Sequence, residues 1–461
     1  MIFMNKRADQ IVAFTAGIGM LLSTLDTGII NVALPTLVRS FDSSITVMTW
    51  SITMYTLALV GTIIIFGRLS DRYGRLKIYT SGLIIFCIAS IFCGLSTSPG
   101  ELIASRTLQG IGAAMLQGTA TAIITTAIPK ERQGAAFGTL GVLLGLGPVL
   151  GPSVGGFLIS VGNWRWIFWI NVPIVLVGLV GCVYLIKRVK ESRRTIKINL
   201  PGNILLTLSV LALLQGLSML STSNFLSLPT IGPIVLFALL LISFILWEVR
   251  AKQPIIDLRL FLHGAFSAPI LGIFVLGGTT SLGFIIPPYF LEQVSNLEPW
   301  QTGLVNLSAP LGLVMMSKVS GRLIGRVSTT RLMIIGLIIM AIPYGILGTI
   351  QSGWSSILIG VLLLIYGFGA GFFLPPNTSA IMGAVSQEVQ GTIGAVQRMV
   401  QNLGIALYAA VTSSFIQTHS HGGLGSFMNG FREAWIFATV TLVFSLLVFI
   451  YTALFEGDHK S

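Results

Sequence analysis

The residue with the clearest potential for chemistry is Asp26. It sits in the run Thr24-Leu25-Asp26-Thr27-Gly28-Ile29-Ile30-Asn31, in the far half of the first long apolar segment. An ionisable side chain in the middle of a membrane helix costs about 2.5–3.5 kcal/mol on insertion scales, so such residues are rare and usually functional. Helical spacing puts Ser23, Thr27 and Asn31 on one stripe with Asp26 beside it, and that stripe should face a wet interior rather than lipid. Two roles are open to Asp26. It either takes up and releases a proton, or it only bonds a neighbouring helix.

The second such residue is Arg106. On a helix, Arg106, Gly110, Ala113 and Gln117 share a face, with Gln109 beside it. A guanidinium does not lose its proton in a protein and must find acceptors at this depth. Either it partners Asp26 or a chain of waters, or it reaches back to the headgroups as long basic side chains do.

Little else could do chemistry. Cys87, Cys93 and Cys182 lie in apolar segments without metal-ligand spacing, and His263, His419, His421 and His459 fall in loops or the tail. With no cluster of Ser, His, Asp or Cys, the sequence points away from an enzyme and from a metal or cofactor site.

The elements that carry Asp26 and Arg106 follow from composition. The chain has 461 residues, of which 54% are hydrophobic and 9% charged. A soluble domain has about 25% charged residues, so this is an all-α integral membrane protein. The net charge of +12 reflects basic loops on one side of a membrane, not a nucleic-acid partner. Apolar stretches long enough to cross a bilayer run over roughly 11–34, 46–66, 78–96, 102–127, 135–160, 166–186, 200–221, 229–248, 266–290, 301–321, 331–350, 355–380, 393–416 and 433–455. That predicts fourteen transmembrane helices. The first is too long for the apolar core of a signal peptide.

Basic residues set the orientation. One set of loops holds Arg68, Arg72, Arg75, Lys77, Lys130, Arg132, Lys187, Arg188, Lys190, Arg193, Arg194, Lys197, Arg250, Lys252, Arg259, Arg322, Arg326 and Arg331, and the other only Arg39, Arg165 and Arg432. The rich side is cytoplasmic, and both termini lie there. The chain also repeats itself. Gly67-Arg68-Leu69-Ser70-Asp71-Arg72-Tyr73-Gly74-Arg75 follows the second segment, and Gly321-Arg322-Leu323-Ile324-Gly325-Arg326 follows the tenth. Both loops are cytoplasmic only if two helices cross as a hairpin between two blocks of six. The expected organisation is a six-helix bundle over 1–190, a linker with two extra helices over 191–260, and a second bundle over 261–461.

These stretches carry a resemblance. The loop from Gly67 to Lys77 resembles the signature loop of the major facilitator superfamily. Positive loops in general explain Arg72, Arg75 and Lys77, but not Asp71, Gly67 and Gly74. Asp71 is suited to meet a helix N-terminus and nearby arginines. Arg106-Thr107-Leu108-Gln109-Gly110-Ile111-Gly112 resembles the superfamily's buried-arginine motif. Gly147-Pro148-Val149-Leu150-Gly151-Pro152-Ser153-Val154-Gly155-Gly156 is similar to its antiporter motif, with glycines spaced for close helix packing and two kinking prolines. Trp50 to Tyr55, Trp164 to Pro173 and the Asp26 segment resemble the 14-helix drug:proton antiporters. One departure is Gly28, which stands where that group usually has Thr.

The resemblance implies a major facilitator fold in a bacterial plasma membrane. It implies a monomer that exports amphipathic, cationic drugs for protons, driven by the proton gradient with no cofactor. Gly67, Asp71, Arg72, Gly74 and Arg75 would form a conformational latch, weaker in the second copy, where Gly325 replaces Asp71. Asp26, Arg106 and Glu292 would couple protons. Asp26, Asn31, Trp50, Tyr55, Gln109 and Gln117 from the first half would line the substrate site. Phe284, Tyr289, Glu292, Asn306 and Asn377 from the second half would join them. Glu292 is either a second acid in the cavity, allowing two protons per cycle, or a loop carboxylate. Lys318 and Arg398 stand near helix ends, where they would snorkel. The glycines at 367, 369 and 371 with Pro375 and Pro376 suggest a broken twelfth segment. Burial disfavours a carboxylate's charged form and a nearby cation favours it, so drug and proton would compete for one charge site. Two rivals remain: an exporter of one metabolite or lipid precursor on the same fold, and a membrane receptor or scaffold without transport.

Overall fold

The computed structural model describes residues 6–189, 199–220, 227–251, 254–419 and 423–455. Lys190, Arg193, Arg194, Lys197, Lys252, His421 and His459 lie outside these residues. The described chain is helical almost throughout. Its helices are α1 (Lys6–Ser40), α2 (Ile45–Tyr73), α3 (Arg75–Leu95), α4 (Pro99–Ala127), α5 (Lys130–Val161), α6 (Trp166–Trp169), α7 (Asn171–Ile186) and α8 (Leu200–Leu220). They continue with α9 (Leu228–Arg250), α10 (Gly264–Gln293), α11 (Pro299–Asn306), α12 (Ser308–Leu323), α13 (Thr329–Leu347), α14 (Ser356–Gly383), α15 (Gln390–Thr418) and α16 (Gly423–Phe455).

Local sequence explains several ends. Ser44 and Ser98 accept from backbone N–H groups three residues on, and Pro99 follows Ser98 at a position that needs no donor. Gly74 turns the chain between α2 and α3 with φ 110°, which a side chain would oppose. Gly325 does the same after α12 with φ 88°. Gly325 therefore takes over the backbone role of Gly74, although it aligns in sequence with Asp71.

Among the described residues, eleven helices are long and apolar enough to cross a membrane, or twelve if α5 counts as one bent span. The halves of α5 before Pro148 and after Ser153 meet at 45°. Neither α4 nor the α11–α12 pair is in that set. α4 carries Glu101, Arg106, Gln109 and Gln117, and the predicted 301–321 segment is divided after Asn306. The predicted 166–186 segment, which holds α6 and α7, is one membrane-length span, Trp166–Ile186. The expected break at Pro375 and Pro376 is corrected: α14 runs unbroken from Ser356 to Gly383. Its glycines serve close packing instead. A Cβ at Gly371 would stand 2.9 Å from the Leu313 Cα, and one at Gly369 would stand 2.7 Å from the Gly336 oxygen.

The backbone sorts into two compact units, Met1–Asn203 with Val385–Arg398, and Ile204–Ala384 with Met399–Ser461. In the first, α1 lies along α5, and α2 and α3 lie along α4. A Cβ at Gly147 would come within 2.7 Å of the Leu25 nitrogen, and one at Gly151 within 2.7 Å of the Gly28 Cα. The glycine stripe of α5 thus rests directly on the Asp26 segment. In the second unit, α14 packs on α12 and α13. There Tyr344 and Tyr366 stack at 4.2 Å, and the Tyr366 hydroxyl meets Thr279 and Thr280 on α10.

Candidate functional site

Five helices of the first unit converge on Asp26. α1 places Asp26 and Ser23 one turn apart. α4 brings Arg106 and Gln109 at the same spacing, and Gln117 further along. α2 supplies the Ser51 carbonyl and Tyr55, α3 supplies Ser90 and Cys93, and α7 opens with Asn171. The packing of α7 against α1 and α3 brings Asn171 to Asp26.

Both carboxylate oxygens of Asp26 are occupied. Arg106 Nη1 donates to Oδ2 at 2.5 Å. Gln109 Nε2 donates to Oδ1 at 2.9 Å, and Asn171 Nδ2 donates to Oδ1 at 3.2 Å. Arg106 Nη1 also donates to Gln109 Oε1 at 2.5 Å, and Nε donates to the Ser51 carbonyl at 3.3 Å. Its guanidinium lies 4.2 Å from the centre of the Tyr55 ring. Asp26 is 2% exposed and Arg106 0%, so the headgroup-reaching alternative for Arg106 is ruled out.

A buried pair of this kind stands in a low dielectric, where removing one member leaves an uncompensated charge at a cost of about 3–5 kcal/mol. Two buried atoms at its edge, Arg106 Nη2 and Asn171 Oδ1, make no hydrogen bond. A polar network extends from the pair. Gln109 Nε2 also donates to Ser90 Oγ at 2.9 Å. Beyond the Tyr55 ring, the Tyr55 and Ser23 hydroxyls meet at 2.8 Å, and Gln117 Nε2 donates to Ser23 Oγ at 2.7 Å. An apolar layer including Leu25, Ile29, Leu102, Ile167 and Phe168 is buried on α1, α4 and α6.

The other first-half residues fall outside this cluster. The polar stripe of α1 is not uniformly wet: Ser23 is buried, Thr27 is half-buried and bonds its own helix, and Asn31 is exposed. Trp50 is 40% exposed near the start of α2. In the second unit, Asn306 Nδ2 donates to the Phe284 carbonyl at 3.5 Å. Both residues are half-buried, Glu292 is half-buried and Tyr289 is exposed. Asn377 is fully buried, and neither polar atom of its side chain finds a hydrogen-bond partner. Arg398 is 2% exposed, so its predicted snorkelling is corrected, whereas Lys318 is exposed. Arg398 sits more than two turns into α15, too deep in the helix for its side chain to reach the end.

A second polar centre lies at the far end of α2. Asp71 accepts from the backbone N–H groups of Gly391 at 2.9 Å and Thr392 at 2.8 Å, and from Thr392 Oγ1 at 2.9 Å. Arg75 Nη2 completes the set at 3.1 Å. Asp71 therefore caps the first turn of α15, where the helix dipole favours a negative charge. Arg75 also reaches the Thr126 hydroxyl and the Gln387 carbonyl. Gly67 allows this approach, since a Cβ there would stand 2.7 Å from the Gly391 oxygen. Arg72 takes no part in the cap and lies over the Tyr73 ring. Gly155 still faces α1, while Gly156 meets nothing within 4 Å.

Sequence reasoning did not single out Asn171, Ser51, Ser90, Gly391 or Thr392. Asn171 and Ser51 carried a signal, from their places in the Trp164 to Pro173 and Trp50 to Tyr55 stretches.

A helical bundle with a sealed charge pair at its centre suits a transporter, and comparison with known proteins gives the family. The profile of the Major Facilitator Superfamily matches residues 16–409. The chain belongs to the major facilitator superfamily. It is a multi-pass membrane transporter, not an enzyme. The riboflavin transporter RibZ of Clostridioides difficile (strain 630) is 32% identical over 86% of this chain and 86% of its own length. Multidrug resistance protein 3 of Bacillus subtilis (strain 168) is 30% identical over 87% of this chain and 78% of its own. Among solved structures, the human organic anion transporter MFSD10 (TETRAN) shares the fold. Its TM-score is 0.69 at 17% identity, covering 96% of this chain and 99% of that one.

Proposed function

We propose that this superfamily member exports amphipathic, cationic small molecules in exchange for protons. The observation that carries the reading is the Asp26–Arg106 pair, a carboxylate and a guanidinium sealed inside an apolar bundle. Each charge there is tolerated because of the other. A proton arriving on Asp26 removes the charge that holds Arg106. The guanidinium is then left with Gln109, the Ser51 carbonyl and the Tyr55 ring. One bound proton thereby changes which arrangement of α1, α2 and α4 is lowest in free energy, which is the requirement for coupling. A cationic substrate competes with Arg106 and with the proton for the same carboxylate.

On this reading the chain crosses a bacterial plasma membrane fourteen times as six, two and six helices, with both termini in the cytoplasm. The bundles span 1–190 and 261–461, the extra pair falls in 191–260, and the transporter works as a monomer without a cofactor. Asn31, Trp50, Tyr55 and Gln117 of the first unit, and Phe284, Tyr289, Asn306 and Asn377 of the second, are the candidate substrate contacts, and Glu292 is the candidate second acid. The Asp71 cap on α15 acts as the latch that opens when the path alternates.

A second reading is an exporter of one metabolite; the identity to a riboflavin transporter supports a single metabolite as substrate, not the direction. A substrate panel separates the two. Everted vesicles with an acidic interior are offered several lipophilic cations and a flavin from outside, in parallel. Acidification-driven uptake of several unrelated cations supports the multidrug reading, and uptake of the flavin alone overturns it.

A further inference from the structure

The end of the first unit away from Asp71 contains a cavity of about 400 Å³. Thr36 and Ser40 of α1, Thr97 between α3 and α4, and Asn163, Trp164 and Arg165 between α5 and α6 contribute to its lining. The Arg165 guanidinium lies over the Trp164 ring at 4.4 Å, and its Nη2 donates to the Ser96 carbonyl at 3.1 Å. Among the described residues, no carboxylate forms an ion pair with Arg165. A guanidinium has five N–H donors, and this bond uses one.

The peptide group that accepts from Arg165 serves a carboxylate on its other side. The Thr97 N–H donates to Glu101 Oε2 at 2.7 Å, and the Thr97 hydroxyl donates to the same oxygen at 2.9 Å. These bonds hold the Glu101 carboxyl below the usual carboxylate range, so it stays anionic. A single peptide unit therefore separates a cation in the cavity wall from an anion held by Thr97, which also lines the cavity. Standard peptide dimensions put Arg165 Nη2 and Glu101 Oε2 at most ~8 Å apart.

That arrangement selects among ligands. A simple anion would meet Arg165 but be repelled by Glu101, and a simple cation would meet the reverse. A zwitterion satisfies both. The neighbouring surface is apolar, with Val161 71% and Trp166 50% exposed, as suits side chains at the boundary between headgroups and acyl chains. We propose that this cavity binds the phosphoethanolamine headgroup of a membrane lipid, with phosphate on Arg165 and Asn163 and ammonium on Glu101. Occupancy bears on the charge pair as well. Trp164 meets Phe168 edge-on at 6.2 Å, and the Phe168 ring lies 5.9 Å from the Arg106 guanidinium.

The test is thermal unfolding of the full chain in detergent. Short-chain phosphatidylethanolamine, phosphatidylcholine or phosphatidylglycerol is titrated in, with O-phosphoethanolamine alone as a separate probe. Phosphatidylethanolamine should raise the midpoint saturably and more than the others. Phosphatidylcholine offers Glu101 no N–H donor, and phosphatidylglycerol brings no positive charge. Half-saturation should rise about tenfold in both Arg165→Gln and Glu101→Gln, as expected for losing a charge-assisted hydrogen bond. Glu101 is exposed, so Glu101→Gln tests the site without disturbing the core. Equal responses to the three lipids, or unchanged half-saturation in both variants, would overturn the proposal. A response to O-phosphoethanolamine matching that of the lipid would also overturn it, assigning the site to a soluble zwitterion.

Discussion

Gly151 and Gly28 meet with no side chain between them: a Cβ at Gly151 would stand 2.7 Å from the Gly28 Cα. This contact accounts for Gly28 in the Asp26 segment, because α5 lies against the backbone there. Gly151→Val should lower stability by about 1–3 kcal/mol, as overpacking does, and should abolish transport. Gly156→Ala, with nothing within 4 Å, should leave both unchanged. Thermal unfolding and substrate uptake in vesicles measure the two effects. Equal behaviour of the two variants would contradict the packing account.

The charge pair makes a prediction that separates stability from coupling. Arg106→Gln leaves Asp26 buried without a counter-charge and should cost about 3–5 kcal/mol. Adding Asp26→Asn removes the stranded charge, so the double variant should be more stable than Arg106→Gln alone. It should still fail to move protons with substrate. Simple addition of the two stability losses in denaturation curves would mean that the side chains do not interact.

The cap on α15 is open to hydrogen exchange. Asp71→Asn keeps the shape but loses the charge that accepts from Gly391, Thr392 and Arg75. Exchange at the Gly391 and Thr392 amides should speed up by about 10-fold or more, since hydrogen bonds to charged groups are worth about 1.5–3 kcal/mol. Amides near Asp26 should keep their rates. Unchanged exchange at Gly391 and Thr392 would remove Asp71 from the cap.

Acid should reveal Glu101. Hydrogen bonds from Thr97 hold its folded carboxyl below the ordinary value of 4.5. A lowered folded value means that Glu101 contributes stability above the unfolded value, and that the contribution is lost as pH falls through the folded one. Glu101→Gln should therefore lower the unfolding midpoint near neutral pH and flatten its decline below pH 4.5. Parallel curves for variant and wild type would contradict the assignment.

Much of this was legible in the chain. A carboxylate and a guanidinium in apolar segments stand out because hydrocarbon penalises both, and helical spacing placed Gln109 and Gln117 beside Arg106. The pairing of Arg106 with Asp26 was one of the alternatives the sequence left open, and the role of Asp26 was not legible, since bonding to a neighbouring helix and proton traffic put the same residue at the same depth. Asn171 joins the site because α7 packs against α1 and α3, a tertiary contact that local sequence does not encode. The glycines and prolines of α14 were misread because close approach and a broken helix use the same residue types. Arg398 was misread because its depth depends on where α15 begins, and Asp71 sets that point.

The most direct test of the central claim uses purified protein in liposomes that enclose a pH-sensitive dye. A lipophilic cation is added outside, and wild type is compared with Asp26→Asn. Proton exchange at the Asp26–Arg106 pair predicts substrate-dependent dye response in wild type and none in the variant. An undiminished response in Asp26→Asn would contradict it and move the coupling to another acid.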